Sequence, residues 1–273
     1  MANTIVYKEE YAVKMQEKLS EAKFWNTLGD AIYTDKQVFN NPYKNDPTVA
    51  SYTRGAQFAY TDVTLTNETL DIVTSAISAE YIDRADLAQN GYDLQMRLAE
   101  DQGDELQDEI ETAFFTLGLA GAGNASSWVL GSYIDGVADT RAKIVEDKGL
   151  RMLERKGGSI VMSPSAYALL VGEAQSAGVL TFAEDALKEG TVAKVGGFKI
   201  YESNLTGATT QAIGFVNKSI TVGILNTTFG STVVDEKNPD NRSAVGFTTR
   251  VDYGIKVFNV NTNMVVNVTI ALV

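Results

Sequence analysis

The chain has 273 residues, of which 44% are hydrophobic, carries a formal net charge of -12, and contains neither cysteine nor histidine. Its length allows a sizeable buried core, and the missing residue types exclude disulfides, cysteine-ligated metal sites and a Ser-His-Asp triad within the chain. The acidic balance argues against a dedicated DNA-binding surface, because such surfaces neutralise phosphates with Lys and Arg. No apolar run approaches the roughly 18 residues of a membrane span, and the N-terminus lacks the pattern of a secretory signal. We therefore expect no membrane partner and synthesis in the cytoplasm.

The first segment is predicted to be a helix over residues 9–22. Its apolar side chains are spaced by four and continue into an aromatic pair; they are Tyr11, Met15, Leu19, Phe24 and Trp25. An apolar helix face of this kind is expected to pack against another surface. Either the helix packs on its own domain, or it forms an arm that reaches a neighbouring subunit.

Two strand-like runs, residues 51–59 and 62–76, follow a cluster of turn-forming residues at positions 40–47. Both runs are rich in Thr, Val, Ile and Tyr, which favours β-strands. They predict a long hairpin. Because an isolated two-stranded hairpin is marginal in water, it should lie on something else, either its own domain or a neighbour.

A proline-free stretch, residues 85–119, predicts one long amphipathic helix with leucines at steps of three, four, seven or eight. A run of acids between Glu100 and Glu111 could indicate paired catalytic carboxylates or a metal site. We interpret it as a solvated helix face, because no basic or histidine ligand accompanies it.

The glycine-rich segment at residues 118–127 is predicted to be a connector. It lacks the Lys-Ser/Thr pair of a phosphate-binding loop. A second helix is predicted over residues 134–155, ending at Gly157-Gly158 with basic residues in its last turn.

The most distinctive block is residues 158–205. An apolar strand, Ile160-Val161-Met162, stops at Ser163-Pro164, which is a helix cap followed by a favoured first helical residue. Gly196-Gly197 then turns residues 192–195 back onto residues 198–201 as a hairpin.

The last third of the chain is predicted to be mainly sheet. Strands are expected within residues 212–225, 231–234, 244–251 and 254–273. Asp235, Glu236, Asp240 and Asn238 invite a calcium hypothesis, but they lack the spacing and central glycine of an EF-hand, which favours a polar turn.

The order of these pieces resembles that in the tailed-bacteriophage major capsid protein family. Members commonly carry an apolar strand, a Pro-aromatic-Leu-Leu helix and a Gly-Phe-x-Ile/Val strand ending near Ser-Asn, and a strand-rich segment such as residues 248–257 closes the chain. The matching residues here are Pro164, Tyr167, Leu169, Leu170, Gly197, Phe198, Ile200, Ser203 and Asn204.

The resemblance implies an α+β phage major-capsid fold with four parts. These are an N-terminal arm (1–47), an extended β-hairpin loop (48–84), a peripheral domain with a long spine helix (85–133 and 229–273) and an axial domain (134–228). It also implies a structural protein and not an enzyme, with no cofactor and no metal.

In function, the resemblance implies self-assembly through hexamers and pentamers into an icosahedral shell around phage double-stranded DNA, which the wall contacts non-specifically. A separate scaffolding protein and a portal are the expected further partners, and the location is the virion, assembled in the host cytoplasm. Residues 52–80 contain no lysine for the loop crosslink that some members form, so we expect a noncovalent shell. The candidate subunit interface consists of Tyr11, Phe24, Trp25, Phe58, Tyr60 and Leu65.

Three alternatives remain open. Encapsulin nanocompartments are built from related subunits and package enzymes. A surface-layer or fibre protein would suit the Thr-, Asn- and Val-rich C-terminal half, and a carboxylate-based hydrolase would use the abundant acids with Trp25 and Trp128 at a sugar site.

Overall fold

Two β-sheets share one long helix in this protein. The computed structural model describes residues 2–44, 54–55, 57, 62–176, 194–204, 206, 210–229, 231–235 and 244–271. The helices are α1 (Ala2–Leu19), α2 (Phe24–Thr27), α3 (Arg84–Ala120), α4 (Tyr133–Ile144), α5 (Leu150–Lys156) and α6 (Pro164–Ser176). The strands are β1 (Asp30–Thr34), β2 (Val38–Lys44), β3 (Leu65–Asp71), β4 (Thr74–Asp83), β5 (Asn124–Trp128), β6 (Gly158–Met162), β7 (Lys194–Val195), β8 (Phe198–Glu202), β9 (Gln211–Val216), β10 (Ile220–Leu225), β11 (Ser231–Asp235), β12 (Ala244–Val257) and β13 (Val265–Ile270).

The five-stranded sheet is organised around β12, the longest strand at 14 residues. β12 pairs antiparallel with β4, β10 and β11, and β1 pairs parallel with β10. Valine, phenylalanine and tyrosine side chains of β12 are buried in the core formed with α1 and α3. Those residue types suit a pleated, half-buried surface, which explains why this part of the chain forms strands.

The six-stranded sheet has the order β5-β13-β9-β6-β8-β7. Period-two alternation divides its side chains between two cores. Val161, Ile213 and Phe215 pack in the core that contains α3, while Ile160 and Met162 pack with the residues of α4 and α6 on the other face. The sheet is therefore covered by helices on both faces, which agrees with the complete burial of β6.

The long helix α3, which we call the spine helix, spans 37 residues. It begins where the Asp83 side chain accepts a hydrogen bond from the Ala85 backbone N–H at 2.7 Å, as an N-cap residue does. Ile110, Phe114 and Phe115 are fully buried at the centre of the shared core. The spine helix thus joins the two sheets.

None of the helices in the described part of the chain has the length and apolar character needed to cross a membrane.

Several predictions of local structure are confirmed. The spine helix extends the predicted residues 85–119 by one residue at each end. Helix α6 starts at Pro164, and the Ser163 Oγ accepts from the Ala166 N–H at 3.4 Å. The hairpin of β7 and β8 turns through Gly196 and Gly197, whose φ angles of 57° and 93° lie in the left-handed region that glycine tolerates.

Other predictions of local structure are wrong. The connector at residues 118–127 is shorter than predicted, because the spine helix continues to Ala120 and β5 pairs parallel with β13. The predicted second helix is confirmed from Tyr133 to Lys156, but it contains a π-helical turn, Val145–Gly149, between α4 and α5. Residues 244–257 form one continuous strand instead of two, because β12 pairs with β4 through Tyr253 and with β10 beyond it.

The predicted hairpin pairs differently in the structure. Among the described residues the partner of β3 is β2, in register from Val38↔Asp71 to Lys44↔Leu65. Most of the predicted partner strand, residues 51–59, lies outside the described residues. Pro42 lies within β2, because both strands of a two-stranded ribbon are edge strands, where a missing N–H is tolerated. The run at 62–76 is also interrupted at Ile72 and Val73, after which β4 joins the five-stranded sheet.

The sheets do not follow the domain bounds expected from the sequence. β10, from the predicted axial domain, belongs to the five-stranded sheet with β12. β13, from the predicted peripheral domain, belongs to the six-stranded sheet with β9. The bounds of the four parts stay a prediction.

Candidate functional site

The N-terminal helix α1 packs against the spine helix within the same chain. Tyr11, Met15 and Leu19, the predicted apolar face, are fully buried. The Tyr11 ring lies 5.1 Å from the Phe247 ring of β12, measured between centroids. The structure therefore shows α1 docked on its own subunit, which was one of the two alternatives left open by the sequence.

Three lysines on one side of this contact face three carboxylates of the spine helix. Lys14 Nζ lies 3.2 Å from Glu100, Lys18 Nζ lies 3.8 Å from Asp104, and Lys23 Nζ lies 3.0 Å from Asp108. The partners advance together along both segments, so α1 runs parallel to the spine helix. Each pair is partly exposed and contributes little to stability alone.

Two buried glutamines of the spine helix bind the N-terminal segment from the inside. The Tyr11 hydroxyl donates to Gln102 Oε1, and Gln107 Nε2 donates to the Lys18 carbonyl oxygen at 2.7 Å. The Trp25 indole N–H donates to Gln107 Oε1 at 3.3 Å. These bonds satisfy polar groups that would be costly to bury unpaired.

Glu111 continues this row of buried polar side chains. Its carboxylate accepts a hydrogen bond from the Phe24 backbone N–H at 3.3 Å, and Lys23 lies nearby. Burial raises the pKa of Glu111 above its ordinary value, although the Phe24 N–H and the positive charge of Lys23 oppose the shift. Proton binding at Glu111 is therefore coupled to the contact between α2 and the spine helix.

The predicted interface residues of the N-terminal segment are engaged within the chain. Tyr11 and Trp25 are wholly buried. The half-buried Phe24 ring packs against the rings of Phe115 and Tyr201, with centroid distances of 6.1 and 5.3 Å. These three side chains stabilise the subunit itself, whatever else they contact.

The ribbon formed by β2 and β3 is a separate two-stranded sheet. Leu65, the predicted interface residue at its far end, is 70% exposed. Phe58 and Tyr60 lie outside the described residues. Of the six candidate interface residues, Leu65 is the one that the structure places on an exposed surface among the described residues.

The base of the ribbon is held on the five-stranded sheet. Lys256 Nζ lies 3.1 Å from Glu68 Oε1 and donates to the Thr69 carbonyl oxygen at 2.8 Å. Gly254 allows the backbones to approach, since a Cβ atom there would lie 2.2 Å from the Asp71 carbonyl oxygen. The ribbon therefore projects from a fixed base.

Sequence reasoning missed Gln102, Gln107 and Glu111, because the acidic run around them was interpreted as a solvated face. Their burial had one possible signal, since Gln102 lies four residues before Leu106 on the apolar stripe of the helix. Within the described residues, no group of three or more acidic side chains is arranged to hold a metal ion.

The sequence matches no protein-family profile and no curated protein. Solved structures of low sequence identity share this fold, among them the following three. The capsid of cyanophage P-SCSP1u has 14% identity and a TM-score of 0.64, covering 92% of this chain and 89% of that chain. The mature capsid of bacteriophage PhiM1 has 10% identity and a TM-score of 0.67, covering 92% and 88%. A virus-like particle from Pyrococcus furiosus has 16% identity and a TM-score of 0.60, covering 95% and 98%. These similarities confirm the fold predicted from the sequence.

Proposed function

We propose that this chain, which has the fold of phage major capsid proteins, is a shell subunit that assembles with its own copies through hexamers and pentamers into an icosahedral capsid around phage DNA. The observation that carries the proposal is the ribbon of β2 and β3. It is anchored at its base by Lys256 and Glu68 and is exposed at Leu65. A two-stranded ribbon gains little stability alone, so a surface of a neighbouring subunit is its natural support.

Assembly from many such contacts does not require any of them to be strong. In a closed shell each further contact is effectively intramolecular, which raises its contribution without new chemistry. The role is structural and uses no catalytic group. The further partners we propose are a separate scaffolding protein, a portal and packaged double-stranded DNA, with assembly in the host cytoplasm and residence in the virion.

The net charge of -12 is compatible with this role. A shell must enclose DNA without binding it tightly, and an acidic chain avoids the high affinity for DNA that Lys and Arg clusters produce. We therefore propose that its contacts with DNA are non-specific.

We also propose that the shell is noncovalent. Residues 45–80, which join β2 to β3 and continue into β4, contain no lysine, and Lys44 at the end of β2 is the ribbon's lysine. A denaturing gel of intact particles should show this chain as a single band at 29.5 kDa. A ladder of multiples would contradict the proposal, and its loss in Lys44→Arg would identify the crosslinked residue.

A second candidate is a nanocompartment shell that holds protein cargo. It is favoured by the similarity to the virus-like particle from Pyrococcus furiosus, because each chain covers nearly the whole of the other, 95% and 98%. Nucleic-acid content separates the candidates, since a phage capsid from an infected host contains DNA and a nanocompartment contains protein.

The test is light scattering of the purified full chain with ultraviolet absorbance at 260 and 280 nm. We expect particles of many subunits. A mass that stays at 29.5 kDa at all concentrations, both for the chain expressed alone and for the chain expressed with its neighbouring genes, would contradict the assignment.

A further inference from the structure

Strand β4 leaves one of its two edges unpaired among the described residues. Its other edge pairs with β12 over ten residues, from Asp83↔Ala244 to Thr74↔Tyr253, and no other described strand pairs with β4. An unpaired edge presents a row of backbone N–H and C=O groups that can accept a further strand.

A groove of about 700 Å³ lies between this edge and the spine helix. Residues 75–78 line one side of it, and none of the described residues that line it is a Lys or Arg. Its six acidic residues are Glu80, Asp101, Asp104, Glu105, Asp108 and Glu109. Asp104 and Asp108 also contact Lys18 and Lys23 of the N-terminal segment. The remaining four make no ion pair with the described residues, so the groove is electrostatically matched to a cationic occupant.

The face of β4 that points away from the spine helix carries exposed apolar side chains. Ile77 is 57% exposed and Tyr81 is 67% exposed. They lie four residues apart on one strand and therefore share a face, whereas Ala76 and Ile82 are buried on the face towards the spine helix. Exposed apolar side chains and the acidic groove, which Ile77 also lines, thus lie along the same edge.

We propose that the free edge of β4 accepts, as an added strand, an extended segment of another polypeptide in which apolar side chains alternate with Lys or Arg. Successive side chains of a strand point to opposite faces, so one set would lie beside Ile77 and Tyr81 and the other would reach the carboxylates of Glu105 and Glu109. Backbone hydrogen bonds would supply affinity and the alternation would supply specificity. The acidic groove disfavours a nucleic acid as the occupant, because like charges repel.

The test uses the purified full chain and a labelled capped peptide, Lys-Val-Lys-Thr-Lys-Val-Lys-Thr-Lys. The control peptide has proline in place of both valines, which keeps the charge but removes two N–H donors and hinders strand formation. We expect the first peptide to bind, to lose affinity as salt is raised, and to slow amide hydrogen exchange at residues 74–83. The proline peptide should bind at least about tenfold more weakly, since the backbone ladder supplies much of the affinity.

A matched pair of charge variants locates the site. Glu105→Gln with Glu109→Gln should weaken binding about three- to tenfold, the range for two partly exposed charge contacts. Glu146→Gln with Glu154→Gln removes two exposed carboxylates elsewhere and should leave binding unchanged.

Three results would overturn the proposal. The first is no binding, and the second is equal binding of the two peptides, which would indicate general charge attraction. The third is protection of residues 74–83 when the chain self-associates without peptide, because the occupant would then be a second copy. Peptide binding is measured on the isolated chain and does not require assembly. A failure to bind peptide therefore does not contradict the proposed shell, and a failure to assemble does not contradict peptide binding.

Discussion

Gly103 of the spine helix lies directly against Lys18 of α1, so that a Cβ atom at position 103 would come within 2.7 Å of the Lys18 Cβ and 3.4 Å of the Met15 Sδ. Glycine weakens a helix interior by roughly 1 kcal/mol relative to alanine. The close approach of the two helices is a physical reason for glycine at this position.

Gly103→Ala should therefore loosen the contact between α1 and the spine helix. We expect the free energy of unfolding to fall by about 1–3 kcal/mol, the usual cost of overpacking, in spite of the gain in helix propensity. The control is Gly172→Ala in α6, where no atom of the described residues, apart from the adjoining residues and the helix backbone, lies within 4 Å of the added Cβ. A gain of about 0.5–1 kcal/mol is expected there. Urea denaturation measures both; equal stabilisation by the two substitutions would contradict the packing described here.

Glu111 should make stability depend on pH. Burial raises its pKa in the folded chain above that in the unfolded chain, so the cost of burying its charge is fully present above the folded pKa and is relieved as pH falls through it. We expect Glu111→Gln to be at least as stable as the parent at pH 7, and this advantage to shrink in weakly acidic solution. Thermal melts of both chains from pH 7 downwards test this, with the exposed Glu109→Gln as control. A constant loss of stability in Glu111→Gln at every pH would refute it.

Arg250 and Asp252 should stabilise the junction of β12 and β4. Arg250 Nε and Nη2 donate to the Asp252 carboxylate at 2.7 and 2.9 Å, and the Ser75 hydroxyl of β4 donates to it at 2.5 Å. Burial alone would raise the pKa of Asp252, but these hydrogen bonds outweigh it and lower the pKa below its ordinary value.

Arg250→Met should lower the free energy of unfolding at pH 7, because the Asp252 carboxylate loses two charge-assisted hydrogen bonds. A depressed pKa contributes stability above the unfolded pKa that is lost as pH falls through the folded pKa. The difference between parent and variant should accordingly vanish in strong acid. Denaturant unfolding at pH 7 and in strong acid measures this difference. Arg250→Lys should lower the free energy of unfolding less than Arg250→Met does. A pH-independent difference would show that the carboxylate of Asp252 is not the partner.

Leu65 tests the ribbon as an assembly surface. Because it is 70% exposed, Leu65→Ser should change the free energy of unfolding by no more than about 0.5 kcal/mol. We expect the yield of assembled particles on gel filtration to fall several-fold, since an apolar contact with the neighbour is lost. The adjacent exposed Thr66→Ala should assemble normally. Unchanged assembly in Leu65→Ser would remove this residue from the interface.

The elements that were predictable from the sequence are those set by local signals. The spine helix was found within one residue at each end because a helical period repeated over 35 positions has few alternatives. Ser163-Pro164 and Gly196-Gly197 likewise act through the backbone preferences of the residues themselves.

Strand pairing was not predictable in the same way. The pairing of β3 with β2 is accompanied by close packing of Asp71 at the ribbon base on Gly254, which lies 183 positions further along the chain and is therefore not visible in any local pattern. The buried role of Gln107 also depends on a distant partner, the Lys18 carbonyl oxygen. A polar residue in the sequence usually indicates an exposed position, but it can be buried where the tertiary structure supplies a hydrogen-bond partner.

Negative-stain electron microscopy of the purified protein tests most directly whether the chain builds a closed shell. The full chain should be expressed with and without its neighbouring genes, so that any scaffolding partner is present in one case. We predict closed polyhedral shells or rings of five and six subunits in at least one of the two preparations. A uniformly monomeric protein in both would contradict the claim.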